Sequence, residues 1–173
     1  MNPTPLATAA RPPRSVIEGH PALLVLEGAD EYRPFMPLLN AAREWAMPIV
    51  FAVSNCRVFA AGVSVPRAGE HWIRPPCLSA FLGTSLSLLL AQLNVQTLIV
   101  AGGRTSVEVH YSFVDAHQND FFCRLAADCM AGQSLASHEA ALRAMEYLQT
   151  GARQSVETLV IALQATRARF SHA

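Results

Sequence analysis

The sequence predicts an α/β fold, a doubly wound and mostly parallel sheet of five or six strands with helices on both faces. Two observations support this prediction. From Pro21 onwards, short apolar runs alternate with longer amphipathic segments, a pattern typical of βαβ units. The first apolar run, residues 22–26, is continuous rather than alternating, as expected for a strand buried on both faces. The 173 residues fit one domain of ordinary size.

The first half of the chain contains three expected strands. The first one ends at Glu27, and apolar residues at helical spacing then predict a helix over 34–46. A second buried strand is expected at 48–54. Residues 55–78 form an irregular excursion with at most a short strand near 72–73, and such excursions commonly build the walls of active sites.

The same alternation continues in the second half. A strongly apolar helix over 83–93 precedes a strand at 97–101, which ends in a double-glycine turn. The next helix is expected to begin with Thr105 or Ser106 as its N-cap and to run to about residue 118.

The last elements are a strand, a helix, a short strand and a final helix. The strand is expected at 121–126, and the helix after it begins near Ser137 and runs to about 148. The short strand lies at 152–155, and the last helix begins at Val156. Right-handed crossovers between these strands produce the doubly wound sheet.

Domain boundaries follow from the two ends of the chain. Residues 1–20 contain four prolines and no apolar segment, so we expect a flexible arm. Residues 21–166 form the single domain, and residues 167–173 are expected to fray.

Composition excludes several functional classes. The formal net charge is zero, so no basic field attracts nucleic acid. The longest apolar run, 86–93, contains polar residues and is too short to span a membrane. The six histidines are scattered without ligand-pair spacing, which predicts neither a metal site nor a cofactor.

Composition also suggests where the protein is located and how it assembles. The four cysteines have no CxxC spacing and no secretory signal precedes them, so we expect free thiols in the cytoplasm. Apolar residues make up 51% of the chain and charged residues only 15%. This balance predicts a homo-oligomer in which another subunit covers apolar surface.

Ligands of doubly wound sheets bind beyond the carboxyl ends of the strands. Three places in this sequence meet that condition: Glu27, the segment 104–108 and the segment 74–81. A dinucleotide site is disfavoured, because the double glycine before Arg104 lacks the third glycine of that motif and does not follow the first strand.

The same three places resemble the isochorismatase-like cysteine hydrolases. "ALLVLEGAD" resembles the family's first strand, which normally ends in a catalytic Asp, and "RPPCLSAFLGTSLSLLL" resembles the stretch K-x-R-Y-S-A-F-x-G-T-x-L with its catalytic Lys. "TLIVAGGRTSVEVHYSFVDA" resembles the strand and turn that precede the nucleophilic Cys. "LAADCMAG" and "SHEAALRAM" resemble the family's later strand end and helix. The resemblance runs from about residue 22 to 163 and implies the family fold and a small-molecule substrate.

The family's catalytic triad does not carry over to this sequence. Glu27 stands at the Asp position and Glu108 at the Cys position, while Pro75 stands at the Lys position with Arg74 beside it. In the family the Asp and Lys favour the thiolate that attacks an amide or nitrile carbon. A carboxylate is a far poorer acyl nucleophile, so thiol-dependent amidase or nitrilase activity is not expected.

The residues at these positions suggest acid–base chemistry instead. Some isochorismatases also lack the Cys and are thought to use the retained Asp as an acid. By that resemblance, Glu27 and Glu108 become candidate catalytic residues in hydrolysis, elimination or isomerisation of a small polar metabolite, for example one step in a biosynthetic pathway. Arg104 or Arg74 is expected to hold a substrate carboxylate. Thr105 and Phe81, from the same two segments, complete the predicted substrate-binding residues.

A different interpretation remains open for each of these residues. Glu108 in the first turn of a helix is a common stabilising choice, and an Arg nearby is as readily a structural ion pair. The alternative is therefore a catalytically silent paralogue that acts as a ligand-binding or oligomer-assembly subunit. Cys77 and His110 are further candidates, although a small space-filling residue and a surface or interface histidine explain them more simply.

Overall fold

The computed structural model describes residues 16–27, 29, 34–53 and 66–170. Parts of four predictions lie outside the described residues. These parts are residues 1–15 of the arm, residues 54–65 of the second strand's end and the excursion, and residues 171–173 of the tail.

Strands and helices alternate through the described part of the chain. The strands are β1 (His20–Leu26), β2 (Ile49–Ala52), β3 (His71–Ile73), β4 (Val95–Ala101), β5 (Phe122–Ala126) and β6 (Arg153–Gln154). The helices are α1 (Phe35–Glu44), α2 (Leu86–Gln92), α3 (His110–Gln118), α4 (Leu135–Leu148) and α5 (Val156–Phe170). A π-helical turn, Thr105–Val109, leads into α3, and a 3₁₀ turn, Ala127–Cys129, follows β5.

The strands form one sheet in the order β3-β2-β1-β4-β5-β6. Each neighbouring pair is parallel. The chain builds outward from β1 to β3 and then restarts beside β1 with β4, so the strand order reverses between β1 and β4. This topology confirms the predicted doubly wound sheet and places its switch point between those two strands.

Helices cover both faces of the sheet because successive strand residues point to opposite sides. Leu24, Leu98 and Val100 belong to a buried cluster with the apolar residues of α2, α3 and α4. Leu23 and Ile99 belong to the opposite cluster, with the apolar residues of α1 and α5. Both faces of the central strands are therefore buried, which explains why their sequences are continuous apolar runs.

An almost fully buried ion pair links α1 to the start of β3. The Arg43 guanidinium donates from Nε to Glu70 Oε1 at 2.7 Å and from Nη2 to Oε2 at 3.0 Å. The two side chains retain only 7% and 9% of their exposure. Glu70 also accepts the backbone N–H of Arg67 at 2.7 Å. Burial works against ionisation of Glu70, but the hydrogen bonds from Arg43 and Arg67 outweigh it and lower its pKa.

A buried arginine fastens the segment ahead of β1 to the sheet. The fully buried Arg124 of β5 donates from Nε to the carbonyl of Val16 at 2.5 Å and from Nη1 to the carbonyl of Cys123 at 2.7 Å. Thr97 Oγ1 donates to the carbonyl of Glu18 at 2.6 Å and accepts its N–H at 2.9 Å. Residues 16–19, the last part of the predicted arm, therefore pack onto the sheet.

Three predicted helix starts differ from the structure. The apolar helix begins at Leu86 rather than 83, because Gly83 has a φ of 74° and the chain first turns through Thr84. Neither Thr105 nor Ser106 is an N-cap, since the π-helical turn begins directly after Arg104. The helix predicted to begin near Ser137 begins at Leu135, and its cap is Ser134.

Ser137 nevertheless takes part in that cap. The Ser134 hydroxyl accepts the N–H of Ser137 at 3.1 Å, and the Ser137 hydroxyl accepts the N–H of Ser134 at 3.0 Å. This reciprocal capping box satisfies two of the backbone donors at the helix start. At the other end of the chain, α5 continues to Phe170, beyond the predicted domain end at 166.

No helix within the described ranges is long and apolar enough to cross a membrane.

Candidate active site

The carboxyl ends of β1 and β4 meet at the switch point and are joined there by a backbone hydrogen bond. The N–H of Gly103 donates to the carbonyl of Glu27 at 2.9 Å. Gly102 has a φ of 84°, and a Cβ on it would lie 2.4 Å from the carbonyl oxygen of Leu26. Only glycine tolerates this approach, so the double glycine brings the turn after β4 against the end of β1.

Arg104 and Glu108 form an ion pair within this turn. Glu108 Oε1 accepts from Nη2 of Arg104 at 2.5 Å, and both carboxylate oxygens lie within hydrogen-bond distance of Nε, at 3.0 and 3.1 Å. Glu108 Oε2 also accepts the backbone N–H of Arg104 at 3.0 Å. The Arg104 side chain is 62% exposed and that of Glu108 is 26% exposed. The Glu108 carboxylate thus binds Arg104, the residue directly before the helical turn that contains Glu108.

The electrostatics of the turn keep Glu108 ionised. Burial opposes its ionisation, but the guanidinium of Arg104 and the backbone N–H groups outweigh this effect, and the pKa of Glu108 is lowered. Glu108, and more weakly Glu27, raise the pKa of Arg104. The backbone of Glu27 adjoins this turn through the hydrogen bond from Gly103.

Thr105 points into the protein rather than toward solvent. Its side chain is fully buried, and its hydroxyl donates to the carbonyl of Ala131 at 2.8 Å. The same hydroxyl lies 2.7 Å from Nδ1 of His138, and the Thr105 N–H donates to the Ala131 carbonyl at 2.7 Å. In this conformation Thr105 fastens the turn to the segment after β5 and offers no surface to a substrate.

The segment with the predicted Phe81 and Cys77 is attached to α3. Ser79 Oγ donates to Asp115 at 2.5 Å, and Ser112 Oγ accepts the N–H of Ala80 at 3.0 Å. The buried ring of Phe81 packs on Phe121, with ring centroids 6.1 Å apart.

Phe81 therefore faces a different part of the molecule from the two glutamates. Phe121 immediately precedes β5, at the amino end of the sheet, whereas Glu27 and Glu108 follow the carboxyl ends of β1 and β4. The contacts of Phe81 thus place it in the core, away from the candidate catalytic residues.

Arg74 and His110 occupy peripheral positions. Arg74 follows the edge strand β3, with its guanidinium 5.8 Å from the centre of the Trp72 ring. Because β2 separates β3 from β1, the backbone of Arg74 lies roughly 10 Å from that of Glu27 across the sheet. His110 is half-buried at the start of α3 and packs edge-on against Tyr111. Of the predicted residues, Arg104 and Glu108 contact each other, and the backbone of Glu27 adjoins their turn through Gly103.

The described cysteines divide into two buried thiols and one exposed thiol. Burial raises the pKa of Cys123 and of Cys129 to about 12, so both remain protonated at neutral pH. Cys77 is exposed, and its Sγ lies 3.6 Å from the carbonyl oxygen of Leu82. Within residues 16–27, 29, 34–53 and 66–170, no three His, Cys, Asp or Glu side chains gather in a way that could hold a metal ion.

His138 is the residue that the sequence analysis missed. It lies within "SHEAALRAM", where the similarity to the family was noted but the histidine was not singled out. Its ring contacts Thr105, which is 33 residues away in sequence. A contact of that range leaves no local pattern, so only the fold reveals that His138 adjoins the turn with Glu108.

Comparison with solved structures assigns the fold to a known class. A cysteine hydrolase from Pseudomonas syringae pv. phaseolicola 1448A superposes with a TM-score of 0.76 at 16% identity, covering 84% of this chain and 93% of that one. Nicotinamidase PncA from Bacillus subtilis superposes with a TM-score of 0.62 at 18% identity, covering 79% of this chain and all of that one (100%). The molecule therefore has the fold of the isochorismatase-like hydrolases.

Sequence comparison then identifies the family. The isochorismatase domain model matches residues 33–158, well over half of the chain, so the protein belongs to the isochorismatase family. The family predicted from the sequence motifs is thus confirmed.

Two curated proteins match part of the chain. Maleamate amidohydrolase from Pseudomonas putida is 38% identical over 77 residues, 44% of this chain and 36% of that protein. The uncharacterized family member YaaI from Bacillus subtilis is 31% identical over 81 residues, 47% of this chain and 45% of that protein. Each match therefore spans less than half of the curated relative.

Proposed function

We propose that this protein is an isochorismatase-family enzyme that carries out acid–base chemistry on a small polar metabolite without a thiol nucleophile. Glu27 and Glu108 replace the family's Asp and Cys as the reacting groups. The observation that carries the proposal is the junction of β1 and β4, where the Gly103–Glu27 hydrogen bond brings both carboxyl-bearing segments to one edge of the sheet. Arg104 adds a cation at the same edge.

The two glutamates have different proposed roles. Glu108 is held as an anion by Arg104 and by backbone N–H groups, so it is suited to accept a proton from an attacking water or to stabilise developing positive charge. Glu27 follows a buried strand and is the proposed donor of a proton to the leaving oxygen or nitrogen. In a hydrolysis, the water oxygen then bonds to the substrate carbon as the protonated leaving group departs.

Arg104 is the proposed contact for an anionic substrate. Its side chain is 62% exposed and remains paired with Glu108. Exposed ion pairs of this kind are weak and exchange readily with solvent. A substrate carboxylate can therefore share the guanidinium with Glu108, which frees one Glu108 oxygen for the reaction. Arg74 remains a second proposed contact only for a substrate long enough to reach β3.

Two further observations support chemistry without a thiol. By the resemblance in the sequence, Glu108 stands at the position of the family's nucleophile, and the thiols of Cys123 and Cys129 are buried and protonated. The names of two relatives, maleamate amidohydrolase and nicotinamidase, make amides the first substrate class to assay, followed by vinyl ethers.

The test measures turnover of maleamate, nicotinamide and isochorismate by wild type and by Glu27→Gln and Glu108→Gln. General acid–base catalysis typically contributes at least about 100-fold, so each variant is expected to lose that much kcat on the substrate that wild type turns over. Cys77→Ser removes the exposed thiol, and Glu139→Gln removes one carboxylate of another exposed ion pair; both are expected to retain activity. Full activity of both Gln variants, or loss of activity in Cys77→Ser, contradicts the proposal.

The second candidate function is the catalytically silent ligand-binding or assembly subunit. One observation favours it, because Glu108 is engaged by Arg104 instead of being presented alone. Titrating small carboxylates against the Arg104 side-chain NMR signals separates the two functions. Binding without turnover of any of the three substrates supports the silent subunit, whereas turnover that depends on Glu27 excludes it.

A further inference from the structure

A surface cavity of about 540 Å³ lies at the carboxyl ends of β5 and β6. Its volume falls within the range of small-molecule sites in proteins. The polar residues that line it are Asp128, His138, Arg153, Gln154, Ser155 and Thr158. None of these residues belongs to the proposed catalytic set, yet His138 contacts Thr105 of the turn that contains Glu108.

The Thr105 hydroxyl lies within hydrogen-bond distance of both the Ala131 carbonyl and the His138 ring. A threonine hydroxyl has a single proton, and that of Thr105 is directed to the carbonyl oxygen of Ala131 at 2.8 Å. With the Thr105 proton on Ala131, the contact of 2.7 Å between Thr105 Oγ1 and His138 Nδ1 is donated by Nδ1–H, a tautomer that the NMR measurement below checks. In that tautomer of the neutral ring, Nε2 is unprotonated and is the acceptor that His138 can offer to the cavity it lines.

Asp128 supplies a second acceptor. Both of its carboxylate oxygens accept the N–H of Val156 at the start of α5, at 3.0 and 3.3 Å. Each oxygen has a further lone pair available, so Asp128 and His138 together present two acceptors to the same cavity.

Arg153, Ser155 and Thr158 contribute hydrogen-bond donors to the same cavity. Arg153 gives one N–H from Nη1 and one from Nη2 to Glu139, at 2.7 and 2.8 Å, which leaves three of its five N–H groups. The hydroxyls of Ser155 and Thr158 lie 2.9 Å apart and share one hydrogen bond, so one hydroxyl proton remains. Glu139 offsets the positive charge of Arg153, while the carboxylate of Asp128 adds a negative charge to the cavity lining. An anionic ligand is therefore disfavoured.

We propose that this cavity binds an uncharged polyhydroxylated molecule, a sugar or a sugar-bearing compound. Each hydroxyl of a vicinal diol both donates and accepts. One hydroxyl of the pair donates to Nε2 of His138 and its neighbour donates to Asp128, while their oxygens accept from Arg153 or from the hydroxyls of the α5 start. This inference is independent of the chemistry proposed for Glu27 and Glu108, because it concerns binding at a different set of residues.

Two variants of His138 separate the roles of its nitrogens. The side-chain N–H₂ of Asn reaches the position of Nδ1, so His138→Asn retains a donor to Thr105 and lacks the acceptor at Nε2. The side chain of Gln reaches the position of Nε2, so His138→Gln retains an acceptor in the cavity and lacks the donor to Thr105.

The experiment follows the ¹H–¹⁵N NMR spectrum during titration with methyl β-D-ribofuranoside, and the matched probe is its 2-deoxy analogue, which lacks one hydroxyl of the diol. We expect shifts of the cavity residues at millimolar concentrations of the riboside and about tenfold weaker binding of the deoxy probe. His138→Asn is expected to bind the riboside about tenfold more weakly, and His138→Gln within a few fold of wild type. Adenosine is a third probe, and binding tighter than that of the riboside indicates that the sugar is recognised as part of a nucleoside.

Several outcomes overturn the proposal. These are equal binding of the two ribosides, an absence of shifts at the cavity residues, and side-chain ¹⁵N shifts that place the neutral proton of His138 on Nε2. If His138→Asn does not fold, the comparison of the two ribosides on the wild-type protein decides the question without any variant.

Discussion

Two of the arginine–glutamate pairs among the described residues have the same chemistry and opposite surroundings. Arg43 and Glu70 are 7% and 9% exposed and join α1 to the start of β3. Arg104 and Glu108 are 62% and 26% exposed and lie within one helical turn at the switch point of the sheet. The first pair cannot separate without leaving a charge inside the protein, whereas the second can exchange partners with solvent or with a substrate. The comparison distinguishes a structural ion pair from one that is available for function.

Glu70→Gln is expected to have the largest effect on stability. It replaces the Glu70 carboxylate beside the nearly buried Arg43 guanidinium with an uncharged amide, which lowers the free energy of unfolding by about 2 kcal/mol or more. Urea denaturation measures the change. Glu139→Gln, in the exposed Arg153–Glu139 pair, is the matched control and should shift the midpoint little. Equal shifts for the two variants would show that burial does not separate these pairs.

The corresponding arginine variants are expected to affect different properties, activity in Arg104→Met and stability in Arg43→Met. Arg104→Met is expected to weaken kcat/KM for an anionic substrate about tenfold, because a charge-assisted contact is lost, while the melting temperature stays close to that of wild type. Arg43→Met is expected to lower the melting temperature and leave the activity of the folded fraction unchanged. Steady-state kinetics and thermal denaturation on the same preparations measure both. A melting temperature lowered equally in both variants would contradict the division.

The pH dependence of stability tests the buried pair by another route. The pKa of Glu70 in the folded protein lies below its ordinary value of 4.5, so the unfolded chain binds this proton more readily. The stabilisation is complete above that value and is lost as the pH falls through the lower, folded-state pKa. Unfolding free energies measured from neutral to acidic pH should therefore fall less steeply for Glu70→Gln than for wild type. Parallel curves would indicate that Glu70 titrates normally in the folded protein.

Salt should produce the smallest difference between the pairs. Molar salt shortens the Debye length to about 3 Å and screens an exposed pair far more than a buried one. The Nε–H signal of Arg104 is expected to exchange with water faster as salt is added, while that of Arg43 stays protected. Proton exchange at the two arginines, measured by NMR in one sample, makes each the control for the other. Equal acceleration at both sites would contradict the assigned burial.

The central strands could be predicted from the sequence because their signals are local. A strand buried on both faces requires a continuous apolar run, and β1, β2 and β4 each show one. Helix starts were less predictable. The serine that caps α4 precedes a second serine with the same capacity, and the sequence does not distinguish the cap Ser134 from its partner Ser137.

The candidate site was predictable only in part, because local sequence signals reveal strand ends but not contacts between residues that are distant in sequence. Glu27, Arg104 and Glu108 follow strand ends, and strand ends of a parallel sheet meet at one edge. Phe81 comes from a motif that resembles the family, but its ring direction depends on Phe121, which is distant in sequence. Thr105 was predicted as a helix N-cap and as a substrate-binding residue. The π-helical turn directs it inward to Ala131 and His138 instead.

The buried guanidinium of Arg124 has a consequence for how the molecule opens. It connects the carbonyl of Val16 to β5 across 108 positions of sequence. Detaching residues 16–19 would leave that group without one of its acceptors inside the sheet, which carries a desolvation cost. The segment ahead of β1 and the strand at the other side of the switch point should therefore exchange their amide hydrogens as one cooperative unit. Protection from exchange is accordingly expected to begin with this segment, ahead of the first residue of β1.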